Sequence, residues 1–213
     1  MILGGTDREA AGDRTTLDDL FRRAGVRHAA ALALIDPPNR ETFTDGAPRQ
    51  LTYAQADRAI SALAAKLRRL GLQTDTVVAI HLANTIENVI ALLGVLRAGM
   101  IAAPLPLLWR QQDIVAALGR IGAKVIVTTA RIGASAQSTP QSTSLAEVAM
   151  QAAAELFPIR FVCGFGHDLP DGVVPLDEIF ASGHLDFVPP SARPGNAAAH
   201  VAAVTFDTGA LIA

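Results

Sequence analysis

Half of the 213 residues are hydrophobic and the formal net charge is −2 at pH 7, so the chain can bury a sizeable core and is not a disordered protein. No block of basic residues is present, and nucleic acid is therefore not an expected partner. No apolar stretch reaches the roughly 18 uninterrupted residues of a membrane span, and the first residues do not form a signal peptide. Because Cys163 is the single cysteine, no internal disulfide can form, and we expect a cytoplasmic protein.

Two short elements and a polar excursion are predicted before the first long helix. Residues 16–23 carry apolar side chains at helical spacing, and residues 29–35 form an apolar run typical of a buried strand. The polar, turn-forming residues 39–50 then predict a hairpin excursion. A capping box precedes residues 53–70, whose apolar stripe predicts the longest amphipathic helix.

The middle of the chain alternates strand and helix patterns twice. Apolar runs of strand length occupy residues 76–83, 100–105 and 124–128. The helical patterns between them stop at Gly99 and Gly122, which can adopt the left-handed conformation that ends a helix. A βαβαβ unit of this kind builds an open, mostly parallel sheet flanked by helices, so we expect an α/β fold.

The first helix of this unit is predicted to be buried. Asn84 is a suitable N-cap, and Glu87 stands three residues later, where it can complete a capping box. The helix that follows has almost no polar face, and a helix that is apolar nearly all round belongs inside a domain.

The remaining elements complete a single α/β domain over residues 1–213. They are, in order, a surface loop over 131–143, a helix from Ser144 that Pro158 terminates, a strand over 159–164, a helical turn over 175–180, a linker-like segment over 182–197 and a last strand over 198–206.

Two motifs in residues 51–129 carry a resemblance to a known family. Leu51-Thr52-Tyr53 is similar to an L-T-Y motif, and Leu96-Arg97-Ala98-Gly99 followed by Ala103-Pro104-Leu105 is similar to L-K-A-G-x-x-x-x-P-L. In this order and spacing they resemble the N-terminal region of the AMP-forming adenylating enzymes, which include acyl-CoA synthetases, luciferase and the adenylation domains of peptide synthetases. The similarity extends over about residues 15–207.

The resemblance implies a two-step reaction in the intact family. A carboxylate attacks the α-phosphate of ATP to give an acyl-adenylate, and coenzyme A then displaces AMP. The cofactors implied are ATP with magnesium, and coenzyme A. The fold implied is the N-terminal subdomain of the adenylate-forming fold, without a catalytic residue.

The family's phosphate loop, T-S-G-T-T-G-x-P-K, corresponds to a degenerate sequence here. Thr205, Thr208 and Gly209 are its matches, and they are the candidate cofactor-binding residues. Phe206 stands where the loop has a hydroxyl donor, and Asp207 would repel phosphate. We therefore expect that this chain alone binds no cofactor and is inactive.

One further residue is a candidate for cofactor binding. Arg110 lies in the loop after Pro106, where some relatives have a basic residue that contacts a phosphate of coenzyme A. An exposed arginine at a helix start is the alternative interpretation. The five histidines lack the spacing of metal ligands, so no metal site is expected.

Two interpretations of the whole chain remain open. It is either an N-terminal fragment of an AMP-forming acyl-CoA synthetase, or a small, non-catalytic α/β module for binding or assembly. Either would leave apolar surface exposed, and its partner would be the missing C-terminal part of the enzyme or a second copy in a homo-oligomer.

Overall fold

The computed structural model describes residues 15–133, 143–181 and 199–206. The helices are α1 (Leu17–Arg27), α2 (Tyr53–Arg69), α3 (Ile86–Arg97), α4 (Gln111–Ile121) and α5 (Leu145–Glu155). The strands are β1 (Leu32–Ile35), β2 (Gln50–Thr52), β3 (Val77–His81), β4 (Ile101–Pro104), β5 (Val125–Thr129), β6 (Arg131–Ile132), β7 (Thr143–Ser144), β8 (Phe161–Phe165) and β9 (Val174–Pro175). Short 3-10 turns occupy Arg40–Thr42 and Asp177–Phe180.

A five-stranded parallel sheet forms the centre of the molecule, as the βαβαβ pattern predicts. Its spatial order is β4-β3-β5-β8-β9, and every neighbouring pair is parallel. Numbered along the chain, these strands lie in the order second, first, third, fourth, fifth, which is the flavodoxin-like order of a doubly wound sheet. The edge strand β9 was not predicted, because two residues are too few to give a period.

Helices cover both faces of this sheet. Val78, Ile80 and Val127 lie in a core shared with α2 and α3. Ala79 and Ile126 alternate with them and lie in a second core shared with α4 and α5. The strands are therefore apolar on both sides, as parallel strands in a three-layer fold must be.

Helix α2 begins and α4 ends as the sequence predicts. Thr52 Oγ1 accepts a hydrogen bond from the amide of Gln55, and the Gln55 side chain accepts one from the Thr52 amide, which completes the capping box. Gly122 ends α4 with a left-handed φ of 62°.

The buried helix α3 is confirmed, but its predicted N-cap is wrong. None of its residues is exposed. Thr85, rather than Asn84, occupies the N-cap position, and its side chain makes no capping hydrogen bond. The Asp36 carboxylate takes that role, since its Oδ1 accepts the amide hydrogen of Ile86 at 2.8 Å. An acceptor from fifty residues upstream leaves no local sequence signal.

A strand forms within the predicted range 29–35, but the prediction that this strand is buried is wrong. It is the four-residue β1, which pairs with β2 in a separate antiparallel ladder. Leu32 and Ile35 are exposed. An apolar run can lie at the surface when only one of its faces has a neighbour, and sequence periodicity alone does not report this.

The predicted surface loop 131–143 is bounded by the paired strands β6 and β7. Its residues 134–142, and the linker-like segment 182–197, lie outside the described residues. Within the described ranges, no helix combines the length and the apolar character that crossing a membrane requires.

Candidate functional site

The carboxyl ends of the parallel strands define the edge of the sheet at which open α/β folds bind ligands. The chain order reverses between β3 and β5, and ligands usually bind in the crevice at such a switch point. Residues 36–49, hereafter the strap, cross this edge. Asp36 caps α3, which follows β3, and Thr44 forms an antiparallel bridge with Ile132, which follows β5.

Arg40 holds the strap in place through hydrogen bonds to other residues of the strap and to α3. Its Nη1 donates to Asp36 Oδ2 at 2.6 Å and to Glu87 Oε2 at 2.9 Å, and its Nη2 donates to Glu87 Oε1 at 2.8 Å. Its Nε and Nη2 also donate to the carbonyl of Asp45, at 3.1 and 2.9 Å. Burial alone would lower the pKa of Arg40, but hydrogen bonds and charge from Glu87 and Asp36 outweigh it, so the pKa is raised. Arg40 therefore remains charged while only 5% exposed.

Arg49 extends this network toward β8. Its Nη1 lies 3.1 Å from Glu87 Oε1 and its Nη2 lies 3.6 Å from Asp177 Oδ1. The backbone amide of Arg49 donates to Asp36 Oδ2, and Asp177 Oδ2 accepts from the amide of Gly166, directly after β8. Arg49 and Asp177 thus link the strap and the first turn of α3 to the end of β8.

At the edge of the sheet formed by β4, a later segment of the chain lies beside this outermost strand. Residues 199–206 run along β4, with a parallel bridge between Ala102 and Ala203. The amide of Ala102 donates to the carbonyl of Ala202 at 3.0 Å, and the amide of Val204 donates to the carbonyl of Ala102 at 2.8 Å. Part of the predicted last strand, 198–206, is therefore aligned with the sheet, but by a single bridge.

An aromatic contact joins this segment to the loop after β4. The rings of Trp109 and Phe206 are 5.2 Å apart in an edge-to-face arrangement. Each ring has a candidate cofactor-binding residue as its chain neighbour, Arg110 beside Trp109 and Thr205 beside Phe206. Both neighbours are exposed. The surface around this aromatic pair is therefore the candidate functional site.

The structure describes two of the four sequence-derived candidates. Thr205 is at the surface. Arg110 precedes α4, and its amide donates to Asp113 Oδ2 at 3.0 Å. Thr208 and Gly209 lie outside the described residues, so the four-residue set is not tested. The ring contact through Phe206 was missed by the sequence analysis, in which this residue appeared only as a departure from a motif.

Two buried titratable side chains have structural roles. His81 ends β3, and its Nε2 lies 3.1 Å from the carbonyl oxygen of Leu107. Burial lowers the pKa of His81, and the backbone carbonyls of Leu107 and Pro106 act in the opposite direction. Burial raises the pKa of the Cys163 thiol to about 12, which makes it an inert core residue.

The described residues contain no cluster of metal ligands, and one cavity among them is small. No group of three or more His, Cys, Asp or Glu side chains in these ranges could hold a metal ion. A cavity of about 60 Å³ near α2 is small beside the several hundred Å³ of typical ligand pockets. Its walls are Leu51, Gln55, Arg58, Ile179, Phe180 and Ala181.

Comparison with known proteins assigns the sequence of this chain to a family. The sequence model of the family described as "AMP-binding enzyme" matches residues 21–163. Long-chain fatty acid transport protein 1 of Bos taurus is 31% identical over 163 residues, which are 76% of this chain and 22% of that protein. Tyrocidine synthase 1 of Brevibacillus parabrevis is 35% identical over 80 residues, 38% of this chain and 7% of that protein.

Solved structures show the same fold. Acetoacetyl-CoA synthetase from Streptomyces lividans matches with a TM-score of 0.67 at 19% identity, over 81% of this chain and 26% of that one. The anthranilate CoA ligase AuaEII, solved in complex with anthranoyl-AMP, matches with a TM-score of 0.61 at 16% identity, over 76% of this chain and 27% of that one. The chain thus spans about a quarter of these structures, and less than a quarter of the two curated relatives. Since the family match covers most of its length, the chain belongs to the AMP-binding enzymes of the adenylate-forming superfamily.

Proposed function

We propose that this chain supplies the parallel-sheet part of an AMP-forming acyl-CoA synthetase, which adenylates a carboxylate with ATP and then forms a thioester with coenzyme A. The family match over residues 21–163 carries the proposal. A fatty acyl substrate is supported by the name of the long-chain fatty acid transport protein, whose alignment covers 76% of this chain, against 38% for tyrocidine synthase 1. We place the protein in the cytoplasm.

The 213 residues are proposed to be inactive alone. Within the sequence, no lysine follows Lys124, whereas the family's phosphate loop uses one to balance phosphate charge. Asp207 would bring a carboxylate to the same loop, and like charges repel. These residues fit a bound triphosphate poorly, and we assign no catalytic step to them.

The cofactor contacts are proposed for the whole enzyme. Thr205, Thr208 and Gly209 are the residues that would lie nearest the phosphates of ATP with magnesium, although Asp207 weakens that site in this chain. Coenzyme A would present a phosphate to Arg110. Arg110 suits this role because it is exposed and begins α4. The partner of this chain would be the remaining part of the enzyme.

Titration calorimetry of the purified chain, with magnesium-ATP and separately with coenzyme A, tests the proposal. We expect no heat from ATP at millimolar concentration, and micromolar ATP binding would overturn the proposed inactivity. For coenzyme A, Arg110→Ala is compared with Arg120→Ala, which removes the same charge farther along α4. Any coenzyme A binding should weaken only in Arg110→Ala, and equal weakening would remove Arg110 from the site.

A non-catalytic assembly module is the second candidate. Large apolar side chains are exposed on two elements, Leu17 and Leu20 on α1 and Leu32 and Ile35 on β1. Exposed apolar surface of this kind favours association with a second copy. Sedimentation velocity distinguishes the candidates, because a module of this kind forms a defined oligomer that Leu32→Glu disrupts, whereas a monodisperse monomer argues against it.

A further inference from the structure

We propose that the strap is a latched cover over the switch-point crevice, with Arg40 as its latch, and that it opens as a unit while the parallel sheet stays folded. The proposal rests on the way in which the strap is held. It does not depend on which substrate the enzyme uses.

The buried side chains of the strap are all polar, while its Pro37 and Phe43 are half-buried and its Arg49 guanidinium lies 4.3 Å from the centre of the Phe180 ring. The buried residues of the strap are Asp36, Arg40 and Thr44, and none of its apolar residues is buried. Thr44 Oγ1 donates to the carbonyl of Arg131 at 3.1 Å, and the amide of Gly133 donates to the carbonyl of Phe43 at 3.1 Å. Segments with few buried apolar contacts open at a lower free energy than the core.

Arg40 makes the attachment cooperative. A single guanidinium binds the start of the strap at Asp36, its tip at the Asp45 carbonyl and the first turn of α3 at Glu87. Because one group serves all three contacts, losing it releases them together. A buried carboxylate left without its partner is costly, so the closed state without Arg40 is destabilised.

The backbone at Gly166, beneath the strap, lies close to the tip of the strap. Gly166 has a φ of +102°, and a Cβ at this residue would lie 3.0 Å from Asp45 Oδ2 and 3.1 Å from the Ala130 Cβ. The strap tip therefore approaches the backbone after β8 closely. Opening would uncover this backbone and the amide of Ile86, which Asp36 now caps.

Native-state hydrogen exchange of the complete chain, resolved by residue, tests the proposal. The amides that report the strap, hereafter the strap amides, are those of Ile86 and Gly133, which donate to the Asp36 carboxylate and to the carbonyl of Phe43 and lose these bonds when the strap opens. Amides of β3 and β5 are the reference. In the wild-type protein, the strap amides should exchange at least about tenfold faster than the reference amides, with little dependence on dilute urea. Exchange of both sets through one urea-dependent opening would overturn the proposal.

Two variants test whether Arg40 is the residue that holds the strap closed. Arg40→Met should speed exchange of the strap amides about tenfold in the absence of urea, because the contacts of Arg40 stabilise the closed state and not the open one. Arg97→Met is the matched control, because Arg97 is equally buried in carboxylate contacts but lies at the other end of α3. It should speed exchange of the reference amides but leave that of the strap amides unchanged, because the contacts of Arg97 are kept when the strap opens. If Arg40→Met speeds the strap amides no more than Arg97→Met does, Arg40 is not the latch. Should Arg40→Met not fold, Arg40→Lys, which keeps the charge but not the planar fork, must speed exchange of the strap amides.

Discussion

Arg97 and Asp18 are separated by 79 positions in the chain, yet their side chains form a buried ion pair. Arg97 Nε donates to Asp18 Oδ1 at 2.7 Å, and Nη2 lies 2.6 Å from the same oxygen. Nη1 also donates to Ser61 Oγ at 2.8 Å, and Nη2 lies 2.7 Å from Asp57 Oδ1. One guanidinium thus joins the end of α3 to α1 and α2.

Replacement of Asp18 by Asn should therefore destabilise the domain. Arg97 would keep Asp57 but lose its most buried counter-ion, so we expect the free energy of unfolding to fall by about 3 kcal/mol, the lower end for a broken buried pair. Urea unfolding followed by circular dichroism measures the change. The control is Asp19→Asn, next in sequence but in the capping box of α1, which should cost about 1 kcal/mol or less. Equal losses in the two variants would contradict the structural role of Asp18.

Gly94→Ala should destabilise the protein, although alanine normally favours helices. A Cβ at Gly94 would lie 2.8 Å from Leu63 Cδ2 and 3.1 Å from Leu63 Cβ, so α2 and α3 could not pack as closely. We expect a loss of about 1–3 kcal/mol, as for other overpacked cores. Gly119→Ala in α4 is the control, because its Cβ would make an ordinary 3.6 Å contact with Leu156. That change should stabilise by about 0.5–1 kcal/mol, and unfolding midpoints that shift in the same direction would refute the distinction.

The strands and helices of the parallel sheet could be predicted because the residues that determine each of them lie close together in the sequence. Apolar runs, capping residues and a glycine such as Gly122 determine each element within a few residues. The buried polar networks were not predictable, since Arg40 meets Glu87 across 47 positions and Arg97 meets Asp18 across 79. In the sequence, these arginines are indistinguishable from solvated ones.

The candidate site was predictable only where the resemblance named residues. It drew attention to Arg110 and Thr205, but the ring contact between Trp109 and Phe206 needs the placement of residues 199–206 along β4. A single bridge gives no strand-length pattern from which that placement could be derived.

The pH dependence of stability should report the burial of His81. Its pKa is lowered in the folded state, so the unfolded chain takes up the proton first as pH falls below about 6.5. Stability is therefore present above this pH and decreases as pH falls toward the folded pKa, by at most about 1.4 kcal/mol per pH unit. Urea unfolding at pH 7.5 and 5.5 measures this, with His81→Gln as the comparison, since glutamine can donate to the Leu107 carbonyl without titrating. A loss of stability that is identical in both proteins would assign it to other groups.

Asp45 should contribute a pH dependence of the opposite sign. Burial raises its pKa, the positive charges of Arg131, His167 and Arg40 lower it, and the charge of Asp168 raises it. The net shift is upward, so the folded state binds the proton more tightly and stability falls as pH rises through the window above 3.8. Asp45→Asn should remove this decrease, and its stability relative to wild type should grow between pH 4 and pH 7 in thermal or urea unfolding. A relative stability that stays constant across this range would show that Asp45 is not desolvated.

The contact between Trp109 and Phe206 should hold residues 199–206 against β4. An edge-to-face aromatic pair contributes about 0.5–1.5 kcal/mol beyond its buried area, and two backbone hydrogen bonds to Ala102 also hold the segment. Phe206→Ala should therefore detach the segment in a substantial fraction of molecules. Trp109 is the only tryptophan in the chain, so its fluorescence reports the change directly, as a shift of emission to longer wavelength on exposure to water.

Phe157→Ala is the control for that measurement, because Phe157 is fully exposed and its loss should leave the emission of Trp109 unchanged. A red shift confined to Phe206→Ala would establish that residues 199–206 are docked through Trp109. The docking would then couple a nucleotide bound near Thr205 to the loop that carries Arg110, because Thr205 and Arg110 are each the chain neighbour of one ring of the aromatic pair. Unchanged emission in Phe206→Ala would mean that the other contacts of residues 199–206 hold the segment in place, and the coupling between the two candidate residues would lose its physical basis.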